Sequence, residues 1–163
     1  MADHSMDITV KFDGQELKNA VEQAKKEAGT RYDLKDSDVQ IELTDESIKI
    51  NVETEGQIEA VFGILIKKVI SRNLSPKILQ RGKITQGGKM RHNEELKITK
   101  ILDAENAKTI AKIIREGFPK VKPNIQGDTV RVTSKSIDDL QEVIQHLQSL
   151  ETIDVPLEFG NYR

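Results

Sequence analysis

Residues 39–52 read VQIELTDESIKINV, and this stretch decides the fold. Apolar residues alternate with polar ones on both sides of a polar tetrapeptide at residues 44–47; they are Val39, Ile41, Leu43, Ile48, Ile50 and Val52. Strict alternation is typical of strands that bury one face, and a short polar turn between two such runs is typical of a hairpin. The stretch therefore predicts two antiparallel strands whose apolar face needs helices to cover it.

Helical spacing flanks this hairpin on both sides. Apolar residues recur every three or four positions over residues 17–28 before it and over residues 58–69 after it. Alternating residues 8–12 predict a strand ahead of the first helix, and residues 77–80 predict a short strand behind the second. The resulting order, strand–helix–strand–strand–helix–strand, is that of a ferredoxin-like module.

The same order recurs in the second half of the chain. The pattern predicts a strand at residues 94–101 and a helix at residues 107–114. It then predicts a hairpin at residues 121–132, which turns across Gln126, Gly127 and Asp128, and a helix and a strand in the remainder. Helix starts recur too: Asp103 is a good N-cap, and capping-box patterns begin at Asp13, Thr54 and Ser136. The sequence therefore predicts an α+β fold of two tandem ferredoxin-like modules, at residues 1–82 and 83–163.

Composition narrows the class of protein. The chain has no cysteine, so disulfides and thiolate metal sites are excluded and a cytoplasmic location is expected. No apolar run reaches the roughly 18 residues that span a bilayer, and the first five residues do not resemble a signal peptide. We therefore expect no membrane partner.

Catalytic chemistry finds little support in the sequence. The histidines are His4, His92 and His146, and no pair of them has metal-ligand spacing. Residues 82–89 read GKITQGGK, which imitates a phosphate-binding P-loop, but an extra glycine displaces the lysine and no serine or threonine follows it. The sequence favours a protein that is not an enzyme and that uses no cofactor.

A basic stretch is the main candidate for ligand binding. Residues 60–93 contain no acid and eight cations, although the formal net charge of the whole chain is −2. Within it, residues 81–91 combine three glycines with the cations Arg81, Lys83, Lys89 and Arg91, and exposed backbone amides beside cations suit a phosphate. The alternative is a flexible linker between the modules with solubilising charge. A weaker candidate is the segment at residues 31–35, which gathers an aromatic (Tyr32), two cations (Arg31 and Lys35) and an acid (Asp33). An arginine or an acid here could contact a base, and the alternative is a surface tyrosine beside ion pairs.

Five segments resemble the YajQ family. They are residues 19–27 (NAVEQAKKE), 31–35 (RYDLK), 125–132 (IQGDTVRV), 138–141 (DDLQ) and 156–163 (PLEFGNYR), and they follow the order of the family along the whole chain. The resemblance implies that the two modules exchange their first strands, near residues 6–12 and 94–101. It also implies nucleotide binding, with cyclic di-GMP binding and transcriptional regulation attributed to some members, and RNA or mononucleotide binding to others.

Three functions follow from these patterns and from what the resemblance implies. The first is a non-catalytic effector that binds a nucleotide (cyclic di-GMP, GTP or ATP) and acts on a transcription regulator. The basic loop would contact phosphates, and the base or ribose candidates are Arg31, Tyr32, Asp33, Asp128 and Arg131. Lys35 and Gln126 are further candidates for nucleotide binding. The second is an RNA-binding protein that uses residues 60–93, whose RNA affinity would fall steeply with salt. The third is an adaptor for other proteins, which would have no affinity for nucleotides.

Overall fold

The computed structural model describes residues 3–163, apart from the side chain of Lys89, and divides them into two compact units. We call Phe12–Thr99 the first module, and Lys100–Arg163 with the segment that ends at Lys11 the second module. The elements of the first module are α1 (Gly14–Thr30), β2 (Gln40–Leu43), β3 (Ser47–Val52), α2 (Glu55–Ser71), β4 (Leu79–Gln80), β5 (Thr85–Gln86) and β6 (His92–Ile98). Those of the second are β1 (His4–Val10), α3 (Ala104–Gly117), β7 (Lys122–Gln126), β8 (Thr129–Ser134), α4 (Ile137–Ser149) and β9 (Leu157–Gly160).

Each module contains one antiparallel sheet. The strand order is β2-β3-β6-β4 in the first module, where β5 also pairs with β6, and β7-β8-β1-β9 in the second. Strand β1 precedes the first module in the chain but pairs with β8 and β9 of the second, while β6 precedes the second but pairs with β3 and β4 of the first. The α+β class with two ferredoxin-like modules is therefore confirmed, and the pairing is the exchange that the family resemblance implies.

The hairpin quoted above forms as its pattern predicts. Strand β2 pairs with β3, with Ile41 opposite Ile50 and Leu43 opposite Ile48. Ile48, Ile50 and Val52 are buried in a core shared with the apolar faces of α1 and α2. The alternate residues Gln40, Glu42, Lys49 and Asn51 therefore face away from the core.

Helix starts follow the predicted caps in three of four cases. Thr54 and Gln57 form a reciprocal capping box at α2, and the side chains of Asp13 and Asp103 accept hydrogen bonds from the first turns of α1 and α3. The capping box expected at Ser136 is wrong, because its side chain makes no capping hydrogen bond. The carboxylate that should complete that box instead accepts a hydrogen bond from the buried Ser134.

The strand expected at residues 77–80 is shorter than its pattern suggests. A 3₁₀ turn occupies Pro76–Ile78, with Ser75 as its N-cap, and β4 follows at Leu79–Gln80. Within residues 3–163, no helix has both the length and the apolar character needed to cross a bilayer.

Candidate functional site

The open face of the first module's sheet carries a groove built from polar side chains. Alternation places Gln40, Asn51, Asn93 and Thr85 in one row across β2, β3, β6 and β5, each residue opposite the next. A second row aligns Glu42, Lys49 and Glu95. The groove has a volume of about 490 Å³ and is lined by these seven residues together with Ile50, Lys83 and Glu94. We call it the open groove.

Strands β4 and β5 place Lys83 at the open groove through a bulge. Gln80 pairs with Lys97 and Thr85 with Asn93, so four residues (81–84) face three residues of β6 (94–96). One extra residue on a strand is a β-bulge, which redirects the side chains around it. A glycine is needed here, because a Cβ on Gly82 would lie 2.8 Å from the backbone oxygen of Glu95.

The segment at residues 81–91 is therefore a hairpin rather than an unstructured loop. After β5, a 3₁₀ turn at Gly88–Met90 leads into β6, and Gly87 and Arg91 close it with a backbone hydrogen bond of 2.7 Å. Lys83 makes no hydrogen bond or ion pair within the part of the chain that the structure describes. The side chain of Lys89 lies outside the described part of the structure, although its backbone lies in the 3₁₀ turn.

Arg81 points away from the open groove, to the core side of the sheet. Its guanidinium donates two hydrogen bonds to the side chain of Glu94 (3.0 and 2.7 Å) and two to that of Glu59 on α2 (3.0 and 2.7 Å). The guanidinium carbon also lies 4.1 Å from the ring centre of Phe62. Hydrogen bonds to Glu94 and then to Glu59 raise the pKa of Arg81, while the hydrogen bond from Arg81 lowers the pKa of Glu59. The charge of Arg81 is thus engaged within the module.

Arg91 spans the edge of the open groove. Its Nε donates to the side-chain oxygen of Asn51, and its Nη2 donates to the backbone oxygens of Asp38 (2.7 Å) and Asn51 (3.1 Å). Its Nη1 lies 3.4 Å from the carboxylate of Asp38. The side chain of Arg91 is only 17% exposed, so its hydrogen-bonding capacity is largely used within the module.

The segment at residues 31–35 forms a turn directly after α1. Arg31 caps the helix and lies 2.8 Å from the carboxylate of Asp33, and the backbone amide of Lys35 donates to the oxygen of Arg31. Buried Leu34 anchors the turn, whereas Tyr32 is 87% exposed. None of the four candidates in this segment lines the open groove.

The equivalent face of the second module carries an ion pair. Arg131 on β8 lies opposite Asp7 on β1, as Lys49 lies opposite Glu95 in the first module. Arg131 Nε donates to Asp7 over 2.9 Å, and Asn161 donates to the same carboxylate over 3.0 Å. The hydrogen bond from Arg131 lowers the pKa of Asp7, which is 7% exposed. Lys49, by contrast, forms no ion pair among residues 3–163.

The remaining candidates, Gln126 and Asp128, flank the turn of the β7–β8 hairpin. Gln126 pairs with Thr129, and Gly127 takes the positive φ of 62° that this two-residue turn requires. The structure thus places eight of the predicted site residues in the first module and three in the second. Of the eight, Lys83 lines the open groove, and Arg81 and Arg91 bind residues that line it.

The described residues contain no candidate metal site, because nowhere among them do three histidines or acids lie close enough together to hold a metal ion. The site residues that sequence reasoning did not select are Gln40, Glu42, Lys49, Asn51, Thr85, Asn93, Glu94 and Glu95. Alternation alone indicated that several of them face away from the core. Their alignment into rows depends on β6 lying beside β3, which local patterns do not reveal.

Comparison with known proteins adds an independent finding. The family described as nucleotide-binding protein YajQ-like matches residues 4–163. Two relatives named nucleotide-binding protein, from Trichodesmium erythraeum and Synechococcus elongatus, are each 46% identical to this chain. Each match covers 98% of this chain and 97% of the relative. A protein of the same name in Chloroflexus aurantiacus is 45% identical over 99% of both chains. Because the match runs through both modules and both exchanged strands, the chain belongs to the YajQ-like family of nucleotide-binding proteins.

Proposed function

We propose that this protein binds a nucleotide in the open groove and performs no chemistry on it. The observation that carries this proposal is the row of three amides and one hydroxyl, Gln40, Asn51, Asn93 and Thr85, along a groove of about 490 Å³. Amide and hydroxyl groups offer the donors and acceptors that base and sugar edges need. The volume lies within the roughly 300–1,000 Å³ of small-molecule sites. The name carried by the relatives supports the same ligand class.

The charge of the open groove supports a nucleotide over RNA. Its exposed charged residues are two lysines, Lys49 and Lys83, and two acids, Glu42 and Glu95, while Arg81 neutralises Glu94. RNA binding depends on neutralising many phosphates, and a groove with balanced charge does little of that. The strands of this face also carry no phenylalanine, tyrosine or tryptophan on which successive bases could stack. A ligand with one or two phosphates and several base edges fits better.

The finer proposal is that the nucleotide is cyclic di-GMP, and that the occupied protein acts on a transcription regulator. It rests on the family resemblance, together with the two lysines that could contact the two phosphates. Lys83 supports it most directly, because this side chain lines the groove and has no partner among the described residues. GTP and ATP are the competing ligands.

Calorimetric titration with cyclic di-GMP, GTP, ATP and a short single-stranded RNA, at low and high salt, tests this proposal. Because a charge-assisted contact at a wet surface contributes about 1 kcal/mol, Lys83→Ala should weaken cyclic di-GMP binding about fivefold. The double change Lys83→Ala with Lys89→Ala, which removes both lysines of the hairpin, should weaken it at least about tenfold.

Lys108→Ala is the matched control, because Lys108 is an exposed lysine on α3 of the second module. It should leave the affinity unchanged. Binding that is equal in the wild type and in both lysine variants would place the ligand elsewhere. A steep loss of RNA affinity with salt, together with no nucleotide binding, would favour the RNA-binding alternative.

A further inference from the structure

One amide in the open groove is held in a fixed orientation by the protein itself. The side-chain oxygen of Asn51 accepts a hydrogen bond from Arg91 Nε, and the backbone oxygen of Asn51 accepts one from Arg91 Nη2. Arg91 is fixed in turn by Asp38, through the backbone oxygen at 2.7 Å and the carboxylate at 3.4 Å. The guanidinium is a rigid planar fork, so these contacts determine which end of the Asn51 amide faces Arg91.

The other end of that amide is left for a ligand. An asparagine amide has one oxygen, which accepts, and one NH₂ group, which donates two hydrogen bonds. Because the oxygen faces Arg91, the Nδ2 group is the free end, and no residue in the described range accepts a hydrogen bond from it. Asn51 lines the open groove, and its position is half-buried. The groove therefore presents a donor whose orientation is fixed before any ligand arrives.

The neighbouring amide in the row is fixed in the opposite sense. Gln40 Nε2 donates to the carboxylate of Asp38 over 3.2 Å, so the oxygen of Gln40 is its free end. Gln40 lies opposite Asn51 in the register of β2 and β3. Asp38 thus organises both amides, one through Arg91 and one directly.

We infer that Asn51 donates a hydrogen bond to an acceptor atom of the bound nucleotide, and that Arg91 is a positioning residue that fixes the Asn51 amide instead of contacting a phosphate. This inference rests on the proposed function of the open groove. A fixed donor binds an acceptor without the cost of ordering a free side chain. The acceptor is either an oxygen or nitrogen of the base or an oxygen of the phosphate, which share this chemistry.

Two variants of Asn51 test the role of the donor with cyclic di-GMP as the probe. Asn51→Ala removes the donor and should weaken binding about tenfold, or about 1.4 kcal/mol. Asn51→Asp keeps oxygens for Arg91 but presents an acceptor to the ligand, so it should weaken binding at least as much as alanine does. Asn106→Ala, which removes a half-exposed asparagine from α3, is the matched control and should bind like the wild type. Wild-type affinity in Asn51→Ala, or unweakened binding in Asn51→Asp, would overturn the inference.

A double-mutant cycle tests the role of Arg91. If Arg91 acts through Asn51, the double variant Asn51→Ala with Arg91→Met should bind no more weakly than Asn51→Ala alone. If Arg91 contacts the ligand itself, the two losses should add, and the positioning role would be wrong. Should Arg91→Met lower the melting temperature too far for titration, Arg91→Lys replaces it, because lysine keeps the charge but cannot form the fork.

Nuclear magnetic resonance tests whether the Asn51 side chain contacts the ligand directly, because a residue with a merely structural role would show no such contact. The side-chain NH₂ signals of Asn51, assigned by their loss in Asn51→Ala, should shift on addition of cyclic di-GMP. Repeating the titration with guanosine separates the two sources of the acceptor: a shift indicates the base, and a shift with cyclic di-GMP alone indicates the phosphate. Failure of the wild type to bind any nucleotide would refute the proposed function, whereas binding without a shift at Asn51 would refute this inference alone.

Discussion

Replacing Arg81 with methionine removes the guanidinium that holds the carboxylate of Glu94. The side chain of Glu94 is 0% exposed, and the hydrogen bonds that the structure gives it come from Arg81. Methionine preserves much of the aliphatic packing against Phe62 but donates no hydrogen bond. The variant therefore leaves a buried carboxylate without its counter-charge.

The size of the effect follows from the burial of Glu94. Removing one partner of a buried ion pair costs about 3–5 kcal/mol, because the remaining charge is desolvated and unpaired. Water can reach Glu94 through the place of Arg81, which is 35% exposed, so we expect the lower end, about 3 kcal/mol. With a urea slope of about 2 kcal/mol per molar, the unfolding midpoint of the first module should fall by about 1.5 M.

Urea unfolding followed by circular dichroism measures this change. The double variant Arg81→Met with Glu94→Leu is the control: it removes both charges, so most of the lost stability should return. A loss below about 1 kcal/mol, the range of exposed pairs, would refute the reasoning. A double variant no more stable than the single one would do the same.

Three further predictions concern other parts of the fold. The facing arginine of β8 lowers the pKa of Asp7, so the Asp7 carboxylate stabilises the folded state above its unfolded pKa of about 3.9. This contribution is lost as the pH falls through the lower pKa of the folded state. Asp7→Asn should therefore flatten the fall of melting temperature in acid, and an unchanged profile would contradict this. Gly82→Ala should lower the melting temperature through its backbone clash, whereas Gly88→Ala, with open space around its Cβ, should not. Thr54→Ala should cost about 1 kcal/mol by urea unfolding, and Ser136→Ala, which removes no capping bond, distinctly less.

Local patterns predicted the elements well because burial dictates them. The alternation of Ile48, Ile50 and Val52 is required by a sheet with one covered face, and this requirement holds wherever the strand pairs. For the same reason, alternation could not assign β1 or β6 to a sheet. Either module would bury the apolar side of either strand, so the exchange came from the family resemblance and the strand pairing established it.

The charges were harder to interpret than the apolar residues. The acid-free stretch of residues 60–93 is bounded by Glu59 and Glu94, and these are the two acids that Arg81 binds. A count of charge along residues 60–93 therefore suggests that the cations are free. In the fold, the acids just outside either end of this stretch supply the counter-charges. Arg91 is similar, since its partners Asn51 and Asp38 lie about forty residues or more away in the chain. Lys83 alone among the three described cations of the hairpin remains unpaired.

The exchanged strands also determine when each sheet can be completed during synthesis on the ribosome. Asp7 pairs with Gly160, 153 positions later, so β1 has no complete set of neighbours until β9 has emerged. Contacts this distant in sequence slow folding. Meanwhile β1 exposes Met6, Ile8 and Val10, which are buried in the finished protein, to other nascent chains. A chain released before β9 would retain β1 as an apolar sheet edge, so termination between β8 and β9 should yield an aggregating product.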